Sequence, residues 1–150
     1  MRRSHSLVAA VCALGVGIAM PMYAQSSKTF RTRLSPVPID VQMQATVSGT
    51  GSITAVLNGT KLSVNGTFEG LRSPATIAQM HRSPARGVRG PVVFDLTATS
   101  GTSGTISGTV DLTTTQLADL EKGRLYVQLH SEKAPDGNLW GWLLPAEAKK

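Results

Sequence analysis

An all-β domain, an antiparallel β-sandwich with one short helix, is what this chain predicts, on three observations. Apolar and polar residues alternate over short β-branched runs. Glycine and proline clusters punctuate those runs at close intervals, and only one stretch carries helical spacing. Strands so spaced, with few charges inside them, favour two packed antiparallel sheets or an open barrel.

Thr29 to Leu34 predicts a first strand, and Pro36 and Pro38 interrupt it and put that segment at an edge or in a connection. Ser52 to Leu57 and Leu62 to Phe68 flank Asn58-Gly59, a strong hairpin signal because both residue types tolerate positive φ. In the second arm Leu62, Val64 and Phe68 share one face. Ala75 to His81 predicts a strand with Ile77, Gln79 and His81 on one side and Ala78 and Met80 on the other. Arg82 to Pro91 is a loop. Val92 to Thr97 predicts a buried strand with Val92, Phe94 and Leu96 aligned, and Thr105 to Leu112 a further one pointing Ile106, Val110 and Leu112 one way. Thr114 to Lys122 is the helix: Thr113 and Gln116 have capping-box spacing, and Gly123 sits where helices commonly stop. Strands at Arg124 to His130 and Leu139 to Leu144 finish the domain, with Pro135-Asp136-Gly137 as a turn in their connection.

The first 24 residues read as an export signal. Arg2 and Arg3 form a positive start, Leu7 to Met20 is apolar and uncharged, and Met22-Tyr23-Ala24 offers a cleavage segment. The apolar stretch, roughly 14 residues, falls short of the ~20 a membrane-spanning helix needs, so no stable span is expected after cleavage. Cys12 lies inside that stretch behind Val11, the wrong setting for a lipid-modified cysteine. Residues 25–145 then make one domain and 146–150 a polar tail. The mature chain has no cysteine, which excludes disulfides, thiol catalysis and thiolate metal sites, and its address is periplasmic or secreted.

The net charge of +6 loses two with the leader, and the remaining positives are scattered except for Arg82, Arg86 and Arg89 in one loop. That cluster suits an acidic surface or phosphate, but aromatic interleaving and duplex-reading motifs are missing, so nucleic acid is not a partner. No Gly-x-Ser-x-Gly elbow, paired carboxylates or phosphate-cradling glycine loop is present, and no catalytic residue is assigned.

His81 and His130 are the histidines left after leader removal, each with polar company on its own strand face: Gln79 beside His81, Tyr126 and Gln128 beside His130. If their strands are neighbours the rings can meet, either as hydrogen-bonded loop anchors or as a pair for Cu²⁺ or Zn²⁺. Met80 offers a soft third ligand for monovalent copper, although alternation turns it to the opposite face. Trp140 and Trp142 share a face; buried they are core, exposed they form a platform for a sugar or protein, and Tyr126 packs on them in either case.

Taken in chain order, two phrases resemble the CHRD domain, a module of chordin and of many microbial exported proteins. The first runs Gly70-Leu71, Ala78-Gln79-Met80-His81 and Gly87-Val88-Arg89-Gly90-Pro91; the second Tyr126-Val127-Gln128-Leu129-His130-Ser131, Pro135-Asp136-Gly137-Asn138 and Trp140-Gly141-Trp142-Leu143. The resemblance covers Phe68 to Leu144. It implies an immunoglobulin-like or superoxide-dismutase-like sandwich and no known catalysis. The chain departs from the family's A-H-I-H at Gln79, and from its G-E-I-R-G at Asn138 and Trp140, so roles resting on those side chains do not carry over.

The leading expectation is an exported, non-enzymatic binding or envelope-associated module for an unknown protein or small ligand. It has no cofactor and meets its partner through His81, His130, Arg82, Arg86, Arg89 and Tyr126. The alternative is metal handling, copper or zinc, through His81 and His130 with Met80. A weaker one is adhesion through Trp140 and Trp142.

Overall fold

The computed structural model describes residues 26–146. The expected leader and the tail from residue 147 lie outside the described residues.

Eight strands of seven to nine residues alternate inward and outward side chains: β1 (Lys28–Pro36), β2 (Thr50–Asn58), β3 (Lys61–Glu69), β4 (Ala75–Arg82), β5 (Val92–Ala98), β6 (Gly104–Asp111), β7 (Leu125–Ser131) and β8 (Ala134–Trp142). A two-residue strand, β9 (Leu144–Pro145), continues β8 past Leu143 and pairs with β1. The pairing order is β2-β3-β6-β5-β4-β7-β8-β1, all antiparallel, and β1 also pairs with β2. The sheet therefore closes into an eight-stranded antiparallel barrel rather than two separate sheets.

That corrects the sandwich expected from sequence. Alternation reports which side of a strand is buried, and it is the same in a sandwich and a barrel. Closure depends on whether edge strands pair, and here β1 joins both neighbours: Phe30 to Leu34 faces β2, while Ser35 and Pro36 face β8. Closure satisfies the edge hydrogen bonds that open sheets leave exposed. The β3–β6 and β4–β7 neighbours require two crossing connections, a Greek-key arrangement.

The β2–β3 hairpin forms as expected, but its pivot moves one residue. Asn58 pairs with Lys61, so Gly59-Thr60 is the loop, and only Gly59 takes positive φ (62°). The helix α1 (Thr114–Glu121) begins with the reciprocal Thr113–Gln116 capping box. No helix among the described residues is long and apolar enough to cross a membrane.

The interior is filled by Phe30, Leu34, Ile53, Leu62, Val64, Phe68, Met80, Ile106, Leu125, Val127, Leu129 and Leu139, with Leu120 of α1 sealing one end. Full burial of such side chains is worth about 1.5–3 kcal/mol each. In β5 only Leu96 is fully buried; Val92 is exposed and Phe94 half-buried, because the β4–β5 register slips between Met80 and His81 and rotates the strand's end outward.

A second, smaller core lies outside the barrel. Val37, Val47, Tyr126, Ala134, Trp140 and Trp142 pack together, with Met43 against them. The connection from Val37 to Ser48, carrying a 3₁₀ turn at Met43–Ala45, forms a strap over the outer face of β7 and β8. Consequently β7 is buried on both faces along its whole length.

Candidate functional site

The outer face of β4, β7 and β8 carries the chemistry. In the ladder His81 stands opposite Tyr126 and Tyr126 opposite Trp142; one row on, Gln79 faces Gln128 and Gln128 faces Trp140. His130 comes two residues after Gln128, so Gln128 stands between the two histidine levels. The expectation that the two histidine strands are neighbours holds: the ring centroids of His81 and His130 are 6.5 Å apart, with planes 27° from parallel.

A wide bulge builds the far side of this face. Leu129 pairs with Leu139 and Ser131 with Ala134, so residues 135–138 of β8 arch over His130. Pro135-Asp136-Gly137 is thus part of a bulged strand, and the turn is Glu132-Lys133, against expectation. Arching frees carbonyls from the ladder. The Pro135 carbonyl lies 2.7 Å from His130 Nδ1, and the Asp136 carbonyl accepts from the Gln128 amide at 2.9 Å. Across the site the Gly90 carbonyl lies 2.9 Å from His81 Nδ1.

These contacts fix the protons. A carbonyl only accepts, so Nδ1 of each ring carries hydrogen, and in the neutral ring Nε2 presents a lone pair. Gln128 gives its NH₂ to Asp136, which leaves Oε1 as its free acceptor. His81 Nε2, His130 Nε2 and Gln128 Oε1 are all buried without a hydrogen-bond partner. Leaving such an atom unpaired costs about 1–3 kcal/mol. Each of these acceptors is chemically suited to a cation or to a donor hydrogen. The fourth orphan, Trp142 Nε1, is a donor and belongs to the strapped aromatic core.

His81 is 7% and His130 9% exposed. Burial holds the His81 pKa below the ordinary histidine value, against the Gly90 carbonyl, which favours the charged ring; His130 and Arg89 push the same way as burial. Tyr126 stacks on His81 at 4.8 Å and its hydroxyl accepts from Gly90 N–H at 3.2 Å, bracing the loop that holds His81.

Other expected site residues disperse. Met80 is fully buried inside the barrel and cannot reach the pair; strand alternation wins over donor chemistry. The three arginines do not form one patch. Arg82 pairs through Nε with buried Asp119 of α1 at 2.5 Å, Arg86 is exposed, and Arg89 lies over Trp140 at 5.7 Å while its Nη1 donates to the Asp136 carbonyl at 2.8 Å. Trp140 and Trp142 are buried beneath the strap, Tyr126 stacking on Trp142 at 4.7 Å, so they offer no exposed platform. Gln79, where the family shows its earlier histidine, donates to Asp95 Oδ1 at 2.8 Å.

The strands that build this face all fall within one family match: the CHRD domain model covers residues 30–143. The chain belongs to the CHRD domain family. No curated protein and no solved structure matches it. Within this CHRD domain, the sequence marks Gln128 only as polar company for His130. Period-two spacing with Tyr126 and His130 places it on their face, but its free oxygen is set by the Asp136 carbonyl, and backbone carbonyls leave no trace in a sequence.

Proposed function

We propose that this CHRD domain is an exported, non-enzymatic metal-binding module that holds one transition-metal ion, copper or zinc, between His81 and His130. One observation carries the reading: two imidazoles with centroids 6.5 Å apart have Nδ1 pinned to carbonyls and bare, buried Nε2 atoms, and the free Gln128 Oε1 lies on the same strand face. Carbonyl-oriented imidazoles are the usual arrangement behind a metal ligand, because the bond sets the tautomer and ring direction. Their centroid separation sets the adjustment that sharing an ion needs. With metal–nitrogen bonds of about 2 Å and about 1.1 Å from ring centre to nitrogen, two imidazoles sharing an ion have centroids up to about 6.2 Å apart. The observed 6.5 Å exceeds that span by about 0.3 Å, so the rings must close slightly to share an ion. Export rests on the expected leader, and the non-enzymatic reading on the lack of a recognisable nucleophile motif or paired carboxylates in the sequence.

Equilibrium dialysis of the mature protein against zinc and against copper, the copper under both oxidising and reducing oxygen-free conditions, followed by elemental analysis, tests the reading. One ion per chain is expected, lost in His81→Ala and in His130→Ala. Failure of the folded wild-type protein to retain either metal overturns it.

A further inference from the structure

Charge and donor number at the His81–His130 site say more than that a metal fits. With Nδ1 held by a carbonyl, each ring can offer an ion only the uncharged Nε2 lone pair, and the third acceptor, Gln128 Oε1, is an amide oxygen. No group of three or more His, Cys, Asp and Glu side chains able to hold an ion occurs among the described residues. The neighbouring carboxylate on the β4 side, Asp95, is engaged by Gln79. The bulge carries one carboxylate, on exposed Asp136, and the charge that acts on His81 is positive: Arg89, bonded to the Asp136 carbonyl that also holds Gln128.

Such a site penalises divalent ions. The cost of taking an ion out of water grows with the square of its charge, so a divalent ion of equal radius loses about four times as much as a monovalent one. No anionic ligand offsets that cost here, and Arg89 adds to it. Coordination number points the same way. A closed zinc site takes four protein ligands, and divalent copper prefers a four-cornered nitrogen and oxygen plane. Two imidazoles and one weak oxygen provide neither, whereas a filled-shell monovalent copper ion is satisfied by two nitrogens opposed across it. Both Nε2 atoms are buried, so water that completes a higher coordination shell would have to be carried in with the ion.

We infer that the site selects monovalent copper, with His81 Nε2 and His130 Nε2 as its two ligands and Gln128 Oε1 as a weak third contact. This rests on the metal-binding reading above and narrows it to one ion.

Titration under reducing, oxygen-free conditions against a chromophoric chelator of monovalent copper, with parallel competition titrations for divalent copper and zinc, separates the two claims. One monovalent copper per chain is expected, bound at least ~100-fold more tightly than zinc. His81→Ala and His130→Ala should each weaken it by more than the roughly 10–100-fold that loss of a supporting partner costs. Since an alanine could loosen the buried face, His81→Gln and His130→Gln are titrated too, with circular dichroism and urea midpoints to show folding. X-ray absorption should show two imidazole nitrogens on the ion. Zinc or divalent copper bound as tightly as monovalent copper overturns the selectivity and leaves the metal reading standing. Absence of binding by all three ions overturns both. Monovalent copper retained undiminished by folded glutamine variants overturns the assignment of ligands.

Discussion

Asn138 ties the strap to the barrel, and its replacement by alanine offers the clearest test of how the outer core is held. The side chain is wholly buried; its Nδ2 donates to Ser131 Oγ at 2.9 Å and its Oδ1 accepts the Ser48 N–H at 3.2 Å. Its backbone carbonyl accepts Val37 N–H at 3.0 Å, so one residue fastens both ends of the Val37–Ser48 connection. Asn138→Ala keeps the backbone tie and loses the other two. Each buried group left unpaired costs about 1–3 kcal/mol. Ser131 is fully buried and bears the larger share; Ser48 is half-buried, and water can replace part of its bond. The expected loss is about 2–4 kcal/mol, a sizeable part of the roughly 5–15 kcal/mol typical of a domain. Ser131→Ala, which breaks only one of these bonds but leaves the buried Asn138 Nδ2 unpaired, should cost about 1–3 kcal/mol. Urea unfolding monitored by tryptophan fluorescence reads the stability, and acrylamide quenching of the native protein reads strap opening, because Trp140 and Trp142 both lie beneath it. A variant within about 0.5 kcal/mol of wild type, with quenching unchanged, would refute the claim that Asn138 fastens the strap.

Met80→Ala should cost about 2–5 kcal/mol by leaving a cavity inside the barrel, yet leave metal stoichiometry intact; loss of metal from the folded variant would return Met80 to the ligand set. Gly90→Ala should weaken metal binding without touching a ligand side chain, since a Cβ there would collide with the Arg82 carbonyl and displace the segment whose own carbonyl orients His81; unchanged affinity would show that this carbonyl does not matter. The metal-free protein should lose stability on acidification. The folded His81 has a pKa below the ordinary 6.5, so the unfolded chain takes up the proton first; the stabilisation is complete above pH 6.5 and is lost as pH falls through the lower folded value. Urea midpoints from about pH 8 to about pH 5 should fall in wild type and fall less in His81→Gln, and a midpoint that rises on acidification contradicts the neutral-ring assignment.

Strand positions, the capping box and the facing of His81 against the β7 residues are legible in the sequence because alternation and cap chemistry are local. Barrel closure is not, since no residue announces whether β1 pairs on one side or two. The Pro135-Asp136-Gly137 segment carries strong turn chemistry, and tertiary pairing overrides it: Ser131 pairs with Ala134, which leaves the Pro-Asp-Gly run to arch inside a strand. The arginine loop misleads for a related reason. Arg82, Arg86 and Arg89 are close in sequence, but Asp119 draws Arg82 to the helix while Trp140 draws Arg89 to the aromatic core. The groups that decide the donor set, the carbonyls of Gly90, Pro135 and Asp136, have no side-chain signature at all.

Burial of the outer face of β7 needs a reason beyond stability. An antiparallel strand is ordinarily solvated on one side, and a chain that covers the second side gains most from apolar residues there. This one covers Tyr126, Gln128 and His130 instead, and leaves an acceptor atom of Gln128 and of His130 without a donor. Where packing alone governs, apolar residues of similar size at these positions would remove that penalty. The strap, the bulge and the Arg89 bridge do the opposite: they hold the polar groups in fixed directions and exclude water from them. Unpaired polar atoms kept in place by so much surrounding structure call for a functional reason, which is why the proposed metal site rests on the acceptors of His81, His130 and Gln128 rather than on the exposed loop arginines.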